Sequence, residues 1–173
     1  MSKTVSAATT ALIVAVGCHA AQAQTPIPPS PKDFMMAAAQ SDHYEIMAAH
    51  LADVQGQDPR VRTFAQDMIR DHTRLNEDLR KAAMASGLPP PSSGMSSDEA
   101  ALLSGLQGLR GAEFDKVYAR QQELAHAQAV AVEDSFATGG SDANLKKAAQ
   151  TALPTIQDHL KMARQLRVEV GGS

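Results

Sequence analysis

Apolar residues recur at steps of three and four over long stretches of the chain, the spacing of one helical face. The row Val61, Ala65, Met68, His72, Leu75, Leu79, Ala82 predicts an amphipathic helix from Pro59 to about Ser86. The row Tyr118, Gln122, Ala125, Ala129, Val132, Phe136 predicts another from about Ala112 to Thr138. Leu145, Ala149, Ala152, Ile156, His159, Ala163 and Leu166 mark a helix from Asp142 to about Val168. Lys32 to Gln55 is apolar over most of its circumference, which predicts a well-buried first helix. A short helix is expected over Asp98 to Gln107, capped by Ser96 or Ser97.

The breaks between these segments fix their order in space. Gly56 ends the first helix, and Asp58-Pro59 restarts the chain with a capping acid and a proline in the first turn. Gly87 stops the second helix, and Gly139-Gly140-Ser141 is a tight turn with Ser141 as the expected cap. Pro154 lies inside the last helix, where it predicts a bend. Two short connections force antiparallel neighbours, whereas Gly87 to Gly111 is long. Two antiparallel hairpins joined by one long crossover make a ferritin-like four-helix bundle over residues 32–169. An up-down-up-down bundle with a decorated middle loop is the alternative.

Composition agrees with an all-α fold. Hydrophobic residues are 43%, much of that alanine, aromatics are 3% and tryptophan is absent. Sheets prefer β-branched and aromatic residues. The net charge is −3 with no basic patch, which argues against nucleic acid, and nothing reaches the length of a transmembrane span. At the N-terminus, Lys3, the apolar stretch Ala7 to Val16 and Ala21-Gln22-Ala23 read as a secretory signal removed after residue 23. Gln24 to Pro31, with four prolines in eight residues, reads as a spacer. Cys18 follows Ala15-Val16-Gly17, so lipoprotein processing, with Cys18 as a lipid anchor, is the competing fate. The expected location is therefore the periplasm or the exterior, or the envelope surface if lipidated.

The candidate chemistry lies within the apolar rows. His72 and His159 are members of their rows, and His126 lies one position off its own. Glu45 follows Phe34, Ala38 and Ser41 at four-three spacing. These four residues would place one polar group on each long helix, as metal sites in bundles do. Imidazole and carboxylate suit iron, zinc, manganese or copper. The competing reading is that each histidine meets a carbonyl or carboxylate in a fold that needs no ligand. Asp71 and Asp158, each just before a histidine, point about a quarter-turn away toward neighbouring helices. A di-iron carboxylate centre is not supported, because Ile69 and Ile156 stand where glutamates would be needed; only Glu123 and His126 have the Glu-x-x-His spacing. His43, His50, Met47 and Met36 form a second stripe suited to copper, against the simpler reading that methionine fills gaps in an alanine-rich core. No nucleophile motif or phosphate loop occurs.

The runs Phe64-Ala65-Gln66-Asp67-Met68-Ile69-Arg70-Asp71-His72, Phe114-Asp115-Lys116-Val117-Tyr118 and Leu153-Pro154-Thr155-Ile156-Gln157-Asp158-His159-Leu160 resemble exported bacterial proteins called domain of unknown function 4142. The resemblance covers about residues 33–166. It implies a ferritin-like fold, and it implies that Glu45, His72, Asp115, His126 and His159 occupy recurring polar positions, which makes Asp115 a weaker metal candidate. Ala125 departs from the family pattern, which has an acid just before the third-helix histidine. The family has no established reaction. Three functions follow as expectations: a bundle binding a metal ion or small ligand through its core histidines, with envelope stress as one setting; a non-catalytic envelope module whose polar core fixes helix register; or a copper-binding protein using the stripe on the first helix.

Overall fold

The computed structural model describes residues 28–171 apart from Ser92. The signal segment, Cys18 and the start of the spacer lie outside the described residues. Five helices follow one another: α1 (Pro31–Gln55), α2 (Pro59–Ala85), α3 (Ser97–Gln107), α4 (Gly111–Gly139) and α5 (Ala143–Gly171). No strand occurs among the described residues. None of these helices is long and apolar enough to cross a membrane.

Local chemistry sets the helix ends. Ser30 caps α1 through Asp33 N–H, and Asp58 caps α2 through Arg60 N–H, each with proline in the first turn. Ser96 and Glu99 form a reciprocal capping box on α3. Gly87, at φ +68°, closes α2: its N–H reaches Met84 O, and that of Leu88 reaches Ala83 O. Those two bonds define a Schellman ending, which favours glycine at this position. The cap of α5 differs from expectation. Asp142, rather than Ser141, accepts from Leu145 N–H at 2.9 Å, and it also accepts from the Ser86 hydroxyl at 2.6 Å. A carboxylate serves the cap and ties the α4–α5 turn to the end of α2. α5 runs on through Pro154 as one helix.

α1 packs on α2 and α4 on α5 as two antiparallel hairpins; α2 then faces α5 and α1 faces α4, with α3 lying over α1 and α4. α2 and α4 both start at the α1–α2 turn and so run parallel across the bundle diagonal. The crossover carrying α3 makes this possible, and the fold is the ferritin-like arrangement. Asp115, on the first turn of α4, fastens that end: its oxygens accept the Gln57 and Asp58 amides at 3.0 and 2.8 Å. Asp115→Ala is expected to destabilise the protein by about 1.5–3 kcal/mol, the scale of hydrogen bonds to a charged group, measurable by urea unfolding.

Two apolar clusters fill the interior. One holds Tyr44, Phe64, Met68, Phe114, Tyr118 and Leu166, with Leu103 and Leu106 of α3 added. The other holds Phe34, Met35, Leu79, Phe136 and Leu145. Along each long helix, buried polar residues stand between the two sets: Asp42 and Glu45 on α1, His72 on α2, Gln122, His126 and Glu133 on α4, and His159 on α5. A polar layer crosses the middle of the bundle.

Candidate metal centre

The three histidines meet in that layer. His72, His126 and His159 are 1–2% exposed, and their ring centroids lie 5.2–5.5 Å apart. One ligand nitrogen from each lies within 4.8 Å of the other two. The row assignments explain two of them. His126 corrects a third: it belongs to the buried row Ala119, Gln122, His126, Glu133, Phe136, not one position outside it.

Each ring is oriented by a partner on its outer nitrogen. His72 Nδ1 pairs with Asp42 Oδ1 at 2.8 Å, His126 Nδ1 with the Gln122 carbonyl at 2.9 Å, and His159 Nε2 with Asp71 Oδ2 at 3.2 Å. Such bonds settle which nitrogen carries the proton. They leave His72 Nε2, His126 Nε2 and His159 Nδ1 as the nitrogens not held by these partners. The first two are 3.4 Å apart, and the third has no partner. An ion with four ligands at about 2.05 Å sets its ligand atoms about 3.3 Å apart.

Electrostatics distinguishes the rings. Burial and the neighbouring His72 charge hold His159 down at about 4. Burial, again with His72, pushes His126 well below its ordinary value. Burial alone would lower His72 too, but its bond to Asp42 and the nearby charges of Asp42, Glu45 and Asp71 raise it. Of the three rings His72 thus holds a second proton most readily, and its Nε2 lies 3.4 Å from His126 Nε2, where an N–H could donate. Burial favours the neutral form of the other two, the form that binds metal.

The remaining candidates sit around this trio. Glu45 is buried beside it, with Oε1 3.9 Å from the outer nitrogen of His126, so it lies behind that ring. Burial pushes its carboxyl up to about 7 against the pull of His72, and its Oε2 has no partner. The Tyr118 hydroxyl and the Gln122 amide are also buried without partners. Asp115 is at the α1–α2 turn with both oxygens engaged, away from the trio. Glu123 points outward to Arg167 at 2.7 Å, so the single Glu-x-x-His spacing does not form a ligand pair. His43 is half-buried, and His50 and Met47 are exposed on α1.

Two acids went unread in the sequence. Asp42 lies in the register Met35, Ala39, Asp42, Ala49, and Glu133 lies seven residues after His126. Both spacings are visible once polar residues are allowed in a core row. Burial, and then the charge of Asp42, raise Glu133 to about 8 from an ordinary 4.5. The folded protein therefore keeps a proton on Glu133 that the unfolded chain releases as pH rises past 4.5. Stability from this group falls across that window, and the full cost is present above about 8. Glu133→Gln should therefore raise the melting temperature, with a gain that grows from mildly acidic pH and levels off in alkaline buffer; scans at several pH values test this.

The geometry can be set beside known proteins. No curated protein matches the chain in sequence. Copper(II)-bound CopM superposes with a TM-score of 0.68 at 18% identity, covering 81% of this chain and 97% of that one. A DUF305 protein from Streptomyces coelicolor gives 0.69 at 16% identity, covering 83% and 96%. A DUF305 fragment from Deinococcus radiodurans gives 0.68 at 17% identity, covering 84% and 98%. At these identities the likeness establishes a shared fold. In sequence, the model for "Domain of unknown function (DUF4142)" matches residues 16–166. This span includes all three histidines and their partners, and the chain belongs to the DUF4142 family.

Proposed function

We propose that this protein is an exported helical bundle that holds one transition-metal ion through His72 Nε2, His126 Nε2 and His159 Nδ1. The observation that carries the reading is the 3.4 Å approach of His72 Nε2 to His126 Nε2, with both outer nitrogens already committed to partners. Two ring nitrogens that close need a proton or a cation between them. Partners of this kind also orient metal-bound imidazoles. Neutral imidazoles favour zinc or copper over manganese, which prefers oxygen donors. Asp42, Asp71 and Glu45 would offset the charge of the ion. Export is supported by the Lys3, Ala7–Val16 and Ala-x-Ala pattern at the N-terminus. Copper deserves inclusion because CopM, of like fold, is described in Cu(II)-bound and Cu(I)-bound forms.

A second reading is favoured by the same outer bonds. The Asp42–His72 and Asp71–His159 pairs join α1 to α2 and α2 to α5, and so could serve only to fix helix register. Metal analysis of protein purified without an affinity tag separates the readings. One zinc or copper per chain, lost on His159→Ala, supports the metal centre. Copper lost instead on His43→Ala and His50→Ala supports the stripe on α1. No metal under any loading condition, with core variants merely less stable, supports the structural module. Intact mass of the mature protein decides between removal and lipidation of Cys18.

A further inference from the structure

The histidines are so enclosed that an ion must travel through the bundle to reach them. Three cavities approach. One, about 510 Å³, lies on the α2–α5 face and has His159 and Asp71 in its wall together with Arg70, Arg74 and Lys161. A second, about 470 Å³, opens farther along the α2–α5 seam and has Lys81 and Lys147 in its wall. The third, about 230 Å³, opens along the α1–α4 seam beside the start of α3 and includes His72 itself. No lysine or arginine lines it; its charged residues are Glu99, Asp42 and Glu133. These last two cavities share Ala38, Asp42, Glu133 and Ile156, so they meet at the bundle axis beside the site.

Glu133 is the unexplained member of this set. It is 5% exposed, lines both of these joined cavities, and has a buried Oε2 with no partner. Asp42, by contrast, is engaged by His72. An unpaired interior carboxyl costs stability, and glutamine or leucine would avoid that cost if packing alone were at stake. A carboxyl that gives up its proton as it takes an ion is instead suited to a cation that arrives and leaves. A narrow cleft lined by one sign of charge also concentrates counter-ions and speeds their arrival.

We infer that Glu133 is a transfer ligand: a divalent cation enters between α1 and α4, is taken by the Glu133 carboxylate beside Asp42, and passes to His72 and its two histidine neighbours. The inference rests on the metal reading above and adds a second, transient site to it. The α1–α4 side is the route because both α2–α5 openings carry basic side chains, Lys81 and Lys147 in one and Arg70, Arg74 and Lys161 in the other.

Stopped-flow loading with Co(II) as the probe, followed by its visible absorption, tests this on the full bundle. Glu133→Gln, which cannot trade a proton for the ion, should slow loading by about tenfold or more, with equilibrium affinity unchanged. Ala129→Leu, which narrows the α1–α4 cavity, should slow loading too. Ala148→Leu, in the α2–α5 cavity that carries Lys81 and Lys147, should load at the parent rate. Parent-rate loading by Glu133→Gln overturns the inference, as does a loss confined to equilibrium affinity. Slowing in Ala148→Leu but not in Ala129→Leu overturns the route. Failure of the parent protein to bind Co(II), Zn(II) or Cu(II) overturns the metal reading itself, a result distinct from the others.

Discussion

His72→Asn is expected to weaken metal binding by more than about 100-fold, beyond the 10–100-fold typical of losing only an outer partner. The choice of asparagine matters. Its side-chain N–H can still donate to Asp42, as His72 Nδ1 does at 2.8 Å, but it offers no second nitrogen to the interior. Alanine at this position would instead strand a buried carboxylate, which costs about 3–5 kcal/mol and would confuse loss of metal with loss of fold. Competition with a chromophoric chelator measures the change, and circular dichroism verifies that the helices persist. His50→Asn, at an exposed position on α1, should bind metal as the parent does. Weakening in His50→Asn but not in His72→Asn would move the ion to the stripe on α1.

Phe136→Ala should be the most damaging single core truncation, at about 3–5 kcal/mol. Phe136 is fully buried and stacks on Phe34 with ring centroids 4.0 Å apart and planes within 5° of parallel. That contact joins α4 to α1 at the end of the bundle away from the α1–α2 turn. The ring also lies against Gly140, where an added Cβ would come within 2.7 Å of it. Removing it opens a cavity beside the α4–α5 turn that its neighbours cannot close without moving the turn. A domain of this size has about 5–15 kcal/mol in all, so the loss should show as a large fall in the denaturant midpoint. A fall of less than about 1 kcal/mol would mean that this end is packed far more loosely than the stacked pair implies.

The sequence made the architecture plain because the apolar rows, the short hairpin turns and the long Gly87–Gly111 connection are all local signals. His72 and His159 were legible for the same reason, each flanked on its row by apolar neighbours. His126 was displaced by one position because the row was traced through alanines, while the true core row of α4 carries Gln122, His126 and Glu133. Asp42 and Glu133 were invisible to a search for apolar spacing, since their burial depends on neighbours distant in sequence. Asp71 shows the opposite case: its quarter-turn offset from His72 pointed to a neighbouring helix, and it bonds His159 on α5. Asp115 was a polar position suggested by resemblance, and its work is to hold the amides of the α1–α2 turn. Such pairings across the bundle are set by three-dimensional packing.

X-ray absorption spectroscopy on tag-free protein loaded with one equivalent of Zn(II) or Cu(II) tests the central geometry most directly. The account predicts a first shell dominated by three imidazole nitrogens at about 2.0–2.1 Å, with the outer-ring scattering of histidine, and its collapse in His72→Asn. A shell of oxygens or thioether sulfur, or a first shell with no more than one imidazole, would contradict it.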